Sequence, residues 1–423
     1  MSHTPRRRTV ISCTLMLLPL TASLTACGSD AHPLAGKPYD AAKQITLGGA
    51  LKGVKAGEKA DPAKPLLVRA TDDGSRITDV TAVDAQGRFV RGRLSDDGAR
   101  WRSTVPLAAQ ASYTVHVATE DTAGSPGRRT LDFRTGQYKG KGKRLKVEFG
   151  PDSGKYGVGQ PVTAKLSAKV ENPAERAAIE RGLKVDSQPR VSGAWYWVSD
   201  EELHWRPKDY WPAKTKVTAR SSLKGIKIRD GLYGAASKPV KLNIGERVVA
   251  ITDASSHSMT VYKNGKVINE MPVTTGKPGF ETRNGKKVVL EQQQYVRMTG
   301  ASIGVAGTSE DYNMDVYWAT RVTWSGEYVH SAPWSVGSQG SANVSHGCTG
   351  MSPSNAEWFY DTVRQGDIVE VVGSYGETME PFGNGFGDWN MSWKNWRKGS
   401  ELTKNVRGKN EVETGPARLR PTA

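Results

Sequence analysis

Two histidines and one cysteine fall within residues 330–348, "HSAPWSVGSQGSANVSHGC", among serines, glycines and an asparagine. A free thiol has a pKa near ~8.5, so little of it is thiolate at neutral pH, and a nucleophilic cysteine needs a base or a positive neighbour. His346 stands two residues from Cys348, too close in an extended segment to be the obvious base. His330 closes the alternating run "GEYVH" and can approach from a neighbouring strand, with the Ser331 carbonyl placed to hold its other ring nitrogen and fix the tautomer. Ser345-His346-Gly347-Cys348 reads as a tight turn whose backbone N–H groups can face a developing oxyanion. These residue types support attack of a thiolate on a carbonyl carbon, with the imidazole moving the proton. Zinc takes three or four protein ligands. Beyond Cys348, His330 and His346 the stretch offers no second cysteine and no His-x-x-x-His pair. Neither a metal nor a cofactor is expected.

Cysteine usage supports a working thiol. The chain has three cysteines, and Cys13 lies in a targeting segment: Arg6-Arg7-Arg8, the apolar run Val10–Leu20, then the small residues of "LTAC" (Leu24–Cys27). So short an apolar run reads as a signal peptide rather than a membrane span. The "LTAC" ending resembles the bacterial lipobox. That implies a lipidated Cys27 as first mature residue and a membrane anchor on the extracytoplasmic face. Cys348 is then a leftover thiol in an oxidising compartment, with no disulfide partner, and is flagged as reactive.

The elements that must position this pair are mostly strands. Period-2 runs outnumber helical ones, and 46 glycines and 22 prolines signal many turns. After a signal peptide (1–26) and a tether (27–42), residues 43–144 read as short strands of a β-sandwich, and 145–247 as a second. The segments "ARWRSTVPLAAQASYTV" from Ala99 and "LHWRPKDYWPAKTKVTA" from Leu203 coincide at an offset of 104, matching Trp101 with Trp205 and Arg102 with Arg206. One helix, "NPAERAAIERGL", has Asn172 as N-cap, Pro173 in the first turn, Glu175 to complete a capping box and Gly182 as a stop. Trp195, Trp197, Trp205 and Trp211 read as sandwich core and interdomain packing, with a sugar-binding platform as the alternative. In 248–373 two strands flank the Asn264-Gly265 turn, and "KKVVLEQQQYVRM", "RVTWSGEYVH" and "DIVEVVG" read as further strands. The helix "SNAEWFYDTVRQG" has Ser354 and Glu357 as a capping box and Gly366 as C-cap. Residues 374–403 place Trp389, Trp393 and Trp396 at helical spacing, a short subdomain that docks back on the body; 404–423 are a polar tail.

Charge is unevenly spread. The formal net is +16, yet residues 248–373 hold 9 Lys/Arg against 12 Asp/Glu, so the positive excess lies outside the segment carrying His330 and Cys348. Nucleic acid is not expected as a partner of an exported chain. Anionic cell-wall polymers or a membrane surface are the natural counter-charge, with a solvated basic surface as the bland alternative.

The stretch from His330 to Cys348 resembles the signature of the L,D-transpeptidases, the YkuD-type catalytic domain: a His, a spacer, then Ser/Thr-His-Gly-Cys. Here the spacer, Ser331 to Val344, is 14 residues. The likeness extends through "MTVYKNGKVINEMPVTTGKPG" and "SPSNAEWFYDTVRQGDIVEVV" and covers about residues 248–373. The rest of the chain looks like the actinobacterial, mycobacterial-type members. Their architecture implies a lipoprotein signal, two immunoglobulin-like β-sandwich domains, a β-rich catalytic domain and a short C-terminal subdomain.

The resemblance implies acyl transfer on peptidoglycan stem peptides: Cys348 as nucleophile, His330 as base, Ser331 orienting it, and backbone N–H groups around His346 and Gly347 binding the oxyanion. The product would be a 3→3 cross-link with release of the terminal D-alanine, and carbapenems should acylate the thiol. By position, Tyr312, Trp334, Asn343 and Ser345 are expected substrate contacts. One departure stands out. The family has a hydrophobic residue and then Asn after the cysteine, whereas this chain has Thr349-Gly350; glycine has no amide to offer and is expected to loosen the loop. An L,D-carboxypeptidase using water as acceptor, or a non-catalytic wall-binding module, remains open. A sortase-like reading lacks its Thr-Leu-x-Thr-Cys motif and downstream Arg.

Overall fold

The structure is a computed structural model and describes residues 39–40, 45–55, 57–71, 74–138 and 142–404. The targeting segment, Cys27 and the polar tail lie outside the described residues. Among the described residues, no helix is long and apolar enough to cross a membrane.

The chain is mostly β, and its first two units repeat one plan. Strands Ile45–Gly49, Leu66–Ala70, Arg100–Ser103 and Gly92–Leu94 form one four-stranded sheet in that order; Val147–Gly150, Val162–Leu166, Glu202–Pro207 and Gly193–Trp197 form its counterpart. The sequence repeat has a packing reason. Trp101 is buried under Gly92, where an added Cβ would stand 2.0 Å from the indole, and Trp205 is buried under Gly193, where it would stand 2.1 Å away. In both sheets a glycine on the edge strand makes room for the indole of its neighbour. Trp195, Trp197, Trp205 and Trp211 are all in the core of the second sandwich, so none is a sugar platform.

Two strand readings change. "KKVVLEQQQYVRM" is not one strand but two, Gly285–Val288 and Glu291–Thr299, in different sheets. Val289 and Leu290 form the corner, their N–H groups taken by Asp367 and Arg321 carbonyls. "RVTWSGEYVH" likewise breaks at Gly326 (φ 99°), so that Arg321 ends one strand and His330 belongs to the next, Tyr328–Ser331. Continuous apolar alternation does not reveal such corners.

The helices keep their places with different caps. Asn172 accepts from Ala174 and Glu175 N–H groups, but the Glu175 carboxylate bonds Arg229 at 2.6 Å instead of closing a capping box. The later helix is Pro353–Thr362, capped by Ser352 rather than Ser354 and ended at Val363 rather than Gly366. Proline at the first helical position makes Ser352 the preceding cap.

In the third unit, a five-stranded sheet runs in the order Lys266–Pro272, Ser258–Lys263, Val248–Asp253, Ile368–Val372, Gly285–Val288. A four-stranded sheet runs Glu291–Thr299, Asn313–Arg321, Tyr328–Ser331, Thr349–Met351. Both sheets and the helix share one apolar core that includes Val261, Val329, Met351 and Phe359. The second sandwich is stitched to this unit through backbone: Gly157 N donates to Gln365 O and Gly159 N to Gly366 O, both at 2.8 Å. The C-terminal segment closes over that sandwich. Trp396 Nε1 donates to Ala194 O (2.9 Å), and Arg206 stacks against Trp389, Trp393 and Trp396 while donating to Met391 O (2.7 Å).

Candidate active site

Parallel pairing of Tyr328–Ser331 with Thr349–Met351 brings the two ends of the motif together. His330 lies directly opposite Gly350, and Cys348 stands two residues upstream on the same strand line. The spacer leaves the sheet after Ser331, passes through a short 3-10 turn at Pro333–Ser335, and returns at Ser345 beside Gly276.

The motif residues make the turn. Gly347 sits at φ 114°, a backbone conformation that side chains rarely tolerate. The Ser345 hydroxyl spans the turn, donating to Cys348 O (2.6 Å) and accepting from Gly347 N (3.1 Å). Thr282 Oγ1 fastens it from outside by donating to Gly347 O (2.8 Å).

His330 is buried, and its Nδ1 lies 2.8 Å from the Ser331 carbonyl. A carbonyl only accepts, so Nδ1 carries the hydrogen and Nε2 is left with a lone pair. Burial lowers the imidazole pKa against that hydrogen bond, which keeps the ring neutral at physiological pH. Cys348 is partly accessible, and its thiol lies 3.6 Å from the Gly326 carbonyl, to which it donates. Burial pushes this thiol up to about 12, with Glu327 adding to the rise and a Tyr328 backbone N–H and Lys287 opposing it. The resting pair is therefore thiol and neutral imidazole.

The other expected site residues divide. The indole of Trp334 is half exposed beside the His330 ring, with centroids 6.0 Å apart. Tyr312 lies against His346 at 5.1 Å. Asn343 and Ser345, expected as substrate contacts, are engaged within the protein. Asn343 Oδ1 accepts from Thr275 N (3.0 Å) and lies 2.9 Å from His257 Nδ1, while its Nδ2 donates to Ala254 O (2.8 Å). Of the expected oxyanion donors, the Gly347 N–H is spent on Ser345; among the described residues, those of His346 and Cys348 have no protein acceptor.

The L,D-transpeptidase catalytic domain family matches residues 247–371, and a bacterial Ig domain family matches 57–227. Over 396 residues the chain is 37% identical to L,D-transpeptidase 2 of Mycobacterium tuberculosis, covering 91% of this chain and 94% of that protein. The chain belongs to the L,D-transpeptidase family. It is also 30% identical over 415 residues to L,D-transpeptidase 5 of the same organism, covering 95% of this chain and 88% of that one. A solved L,D-transpeptidase in complex with imipenem shares 35% identity, with a TM-score of 0.47 over 54% of this chain and 100% of that one.

In this member of the family, Gly350 does not loosen a loop. It is buried between two partners: paired with His330 on one side and exchanging hydrogen bonds of 2.8 and 2.9 Å with Thr274 on the other. A Cβ there would stand 2.9 Å from Ala332 Cβ and 3.1 Å from Thr274 Cγ2. The glycine fits a place where this chain has no room for a side chain.

Two charged groups escaped the sequence reading. Glu310, in the connection between Glu291–Thr299 and Asn313–Arg321, bonds Lys277 Nζ (2.5 Å) and His346 Nε2 (2.7 Å), tying that hairpin to the turn. Beneath Cys348, fully buried Lys287 bonds Glu327 at 2.6 Å, and Arg283 reaches the same carboxylate at 3.1 Å. The one available signal was a lysine, Lys287, directly preceding the apolar run Val288–Leu290. The partner it needs lies 40 residues away.

Proposed function

We propose that this chain is a peptidoglycan transpeptidase that works through a thioester on Cys348. The observation that supports the reading is the strand pairing that puts tautomer-fixed His330 opposite Gly350, two residues along the chain from Cys348. The Cys348 sulfur attacks the carbonyl carbon of the third stem residue as His330 Nε2 takes the thiol proton. The tetrahedral oxyanion is met by the free N–H groups of His346 and Cys348. Collapse expels the amine of the terminal D-alanine, which leaves with the proton from His330. The acceptor amine of a second stem then attacks the thioester, His330 deprotonates it, and the thiol is restored with a 3→3 cross-link formed.

Ser331 acts through its carbonyl as a positioning residue. Trp334 and Tyr312 flank the entrance and contact substrate. A carbapenem carbonyl meets the same sulfur and is expected to acylate it. In this reading the export signal and a lipidated Cys27 anchor the protein outside the membrane, and the two sandwiches raise the catalytic unit into the wall. Deleting residues 43–144 should then spare activity on soluble fragments and reduce cross-linking in cells; unchanged cross-linking would sink the stalk role.

Chromatography and mass spectrometry of products from a disaccharide-tetrapeptide test the reaction. D-alanine release with dimer formation, both lost in Cys348→Ala, is the expected result. D-alanine release without dimers would replace it with an L,D-carboxypeptidase.

A further inference from the structure

In the motif turn the N–H groups of His346 and Cys348 have no protein acceptor among the described residues, and the Gly347 N–H between them is turned to the Ser345 hydroxyl. Two such donors can stabilise an oxyanion only if something aims them. A trans peptide is planar, so an N–H points opposite to the carbonyl of the preceding residue, and whatever holds that carbonyl aims the N–H. The Ser345 carbonyl, in one plane with the His346 N–H, accepts from Lys277 N (2.9 Å). The Gly347 carbonyl, in one plane with the Cys348 N–H, accepts from Thr282 Oγ1 (2.8 Å). The first anchor is main chain. The second is a side chain, and among the described residues no other donor reaches that carbonyl.

The anchor has a fixed direction. Thr282 is buried, and its hydroxyl oxygen accepts from Gly276 N (2.9 Å). A hydroxyl carries one hydrogen, and with Gly276 N–H as the donor on one side, that hydrogen goes to Gly347 O on the other. Gly276 is held in turn: it pairs with Ser345, and an added Cβ would stand 2.0 Å from the Phe280 carbonyl. Gly347 is where an outside anchor matters most. At φ 114° and without a Cβ, its own conformational preference does little to fix the peptide plane that follows. The Thr282 hydroxyl bonds neither the Cys348 thiol nor the His330 ring.

We infer that Thr282 is a positioning residue for acyl transfer: its hydroxyl sets the direction in which the Cys348 N–H meets the oxyanion. When the sulfur bonds the carbonyl carbon, one electron pair of the C=O bond moves onto oxygen, and the thiol proton goes to His330. The charge appears where the N–H groups must already point, so an error of aim weakens the transition state and leaves the thiol and its base as they were. Displacement of iodide from iodoacetamide by the same sulfur makes no oxyanion and does not need the aim. The inference rests on the acyl-transfer chemistry proposed above, but not on which acyl donor is the natural one.

The test uses the full chain and three reagents: a tetrapeptide stem, p-nitrophenyl acetate as an acyl donor that needs no stem-binding site, and iodoacetamide. Rates of modification at Cys348 are read by intact-protein mass spectrometry for the parent, Thr282→Val, Thr282→Ala and Thr282→Ser, with a thermal melt of each. Both hydroxyl-free variants should be acylated about ten- to hundredfold more slowly by either acyl donor, less than the full loss of a donor would cost. Thr282→Ser keeps the hydroxyl and should recover acylation to within about threefold, while alkylation by iodoacetamide stays within about twofold in all of them. Acylation of Thr282→Val or Thr282→Ala at the parent's rate would overturn the inference. So would a loss shared equally by alkylation, a loss that Thr282→Ser does not recover, or failure of both hydroxyl-free variants to fold, since each makes Thr282 a packing residue. A parent acylated by p-nitrophenyl acetate but not by the stem would overturn the transpeptidase reading and leave Thr282 to be judged on the ester rates. No acylation by either donor would overturn both.

Discussion

The buried Lys287–Glu327 pair should control the Cys348 thiol in opposite directions according to which partner is removed. Lys287 is fully buried, Glu327 is 8% exposed, and their atoms meet at 2.6 Å. Lys287→Met leaves the carboxylate with only the half-exposed Arg283 guanidinium and a backbone N–H. Breaking a buried pair by one partner costs about 3–5 kcal/mol, and the surviving Arg283 puts this case near the lower end. Because Lys287 opposes and Glu327 supports the high thiol pKa, Lys287→Met raises it further and Glu327→Gln lowers it. One pKa unit changes the thiolate fraction tenfold below the pKa, while nucleophilicity moves the other way with a Brønsted slope of about 0.4–0.5. The net change in alkylation rate is about three- to fourfold per unit. Iodoacetamide rates between pH 6 and 9, with urea unfolding of each variant, read both effects. Rates that move in the same direction for both variants, or Lys287→Met within about 0.5 kcal/mol of the parent, would refute the electrostatic argument.

Three further outcomes follow from packing and charge. Gly350→Asn places a side chain against Ala332 and Thr274, so urea unfolding should show a loss of about 1–3 kcal/mol rather than a gain. Burial raises Asp367 to about 7 against the pull of the Arg364 N–H and guanidinium, so its contribution is full below about pH 4 and is lost as pH rises to 7. Asp367→Asn should match the parent near pH 4 and exceed it by about 2–4 kcal/mol at pH 8, read by denaturant melts. At His204 burial lowers the imidazole, but Asp388 and Glu202 outweigh it and hold the pKa at about 9. That stabilisation is full below about pH 6.5 and is lost as pH rises through 9, so the deficit of His204→Gln in thermal melts should shrink over that window.

The sequence was most informative where geometry is local. Gly347 and His330 are legible because the turn and the tautomer are each set within a few residues. Asn264 and Gly265, both at positive φ, mark their hairpin in the same way. Long-range pairing was not legible. The Glu310–His346 and Lys287–Glu327 contacts join segments 36 and 40 residues apart, and the corner at Val289-Leu290 hides within an unbroken apolar run. Asn343 shows the reverse error: a polar residue inside a motif looks available until Thr275, His257 and Ala254 are seen to occupy it. Gly350 is similar, since a glycine in sequence suggests freedom, whereas here two strand partners hold it.

In the proposed reaction Cys348 forms the thioester and His330 takes its proton. Intact-protein mass spectrometry during reaction with a tetrapeptide stem tests it most directly, run on the parent, Cys348→Ala and His330→Gln. The expected product is an adduct of the stem less its terminal D-alanine, mapped to Cys348, absent in Cys348→Ala and formed at least a hundredfold more slowly in His330→Gln. An adduct that persists in Cys348→Ala, or one that forms at the parent's rate in His330→Gln, would contradict it.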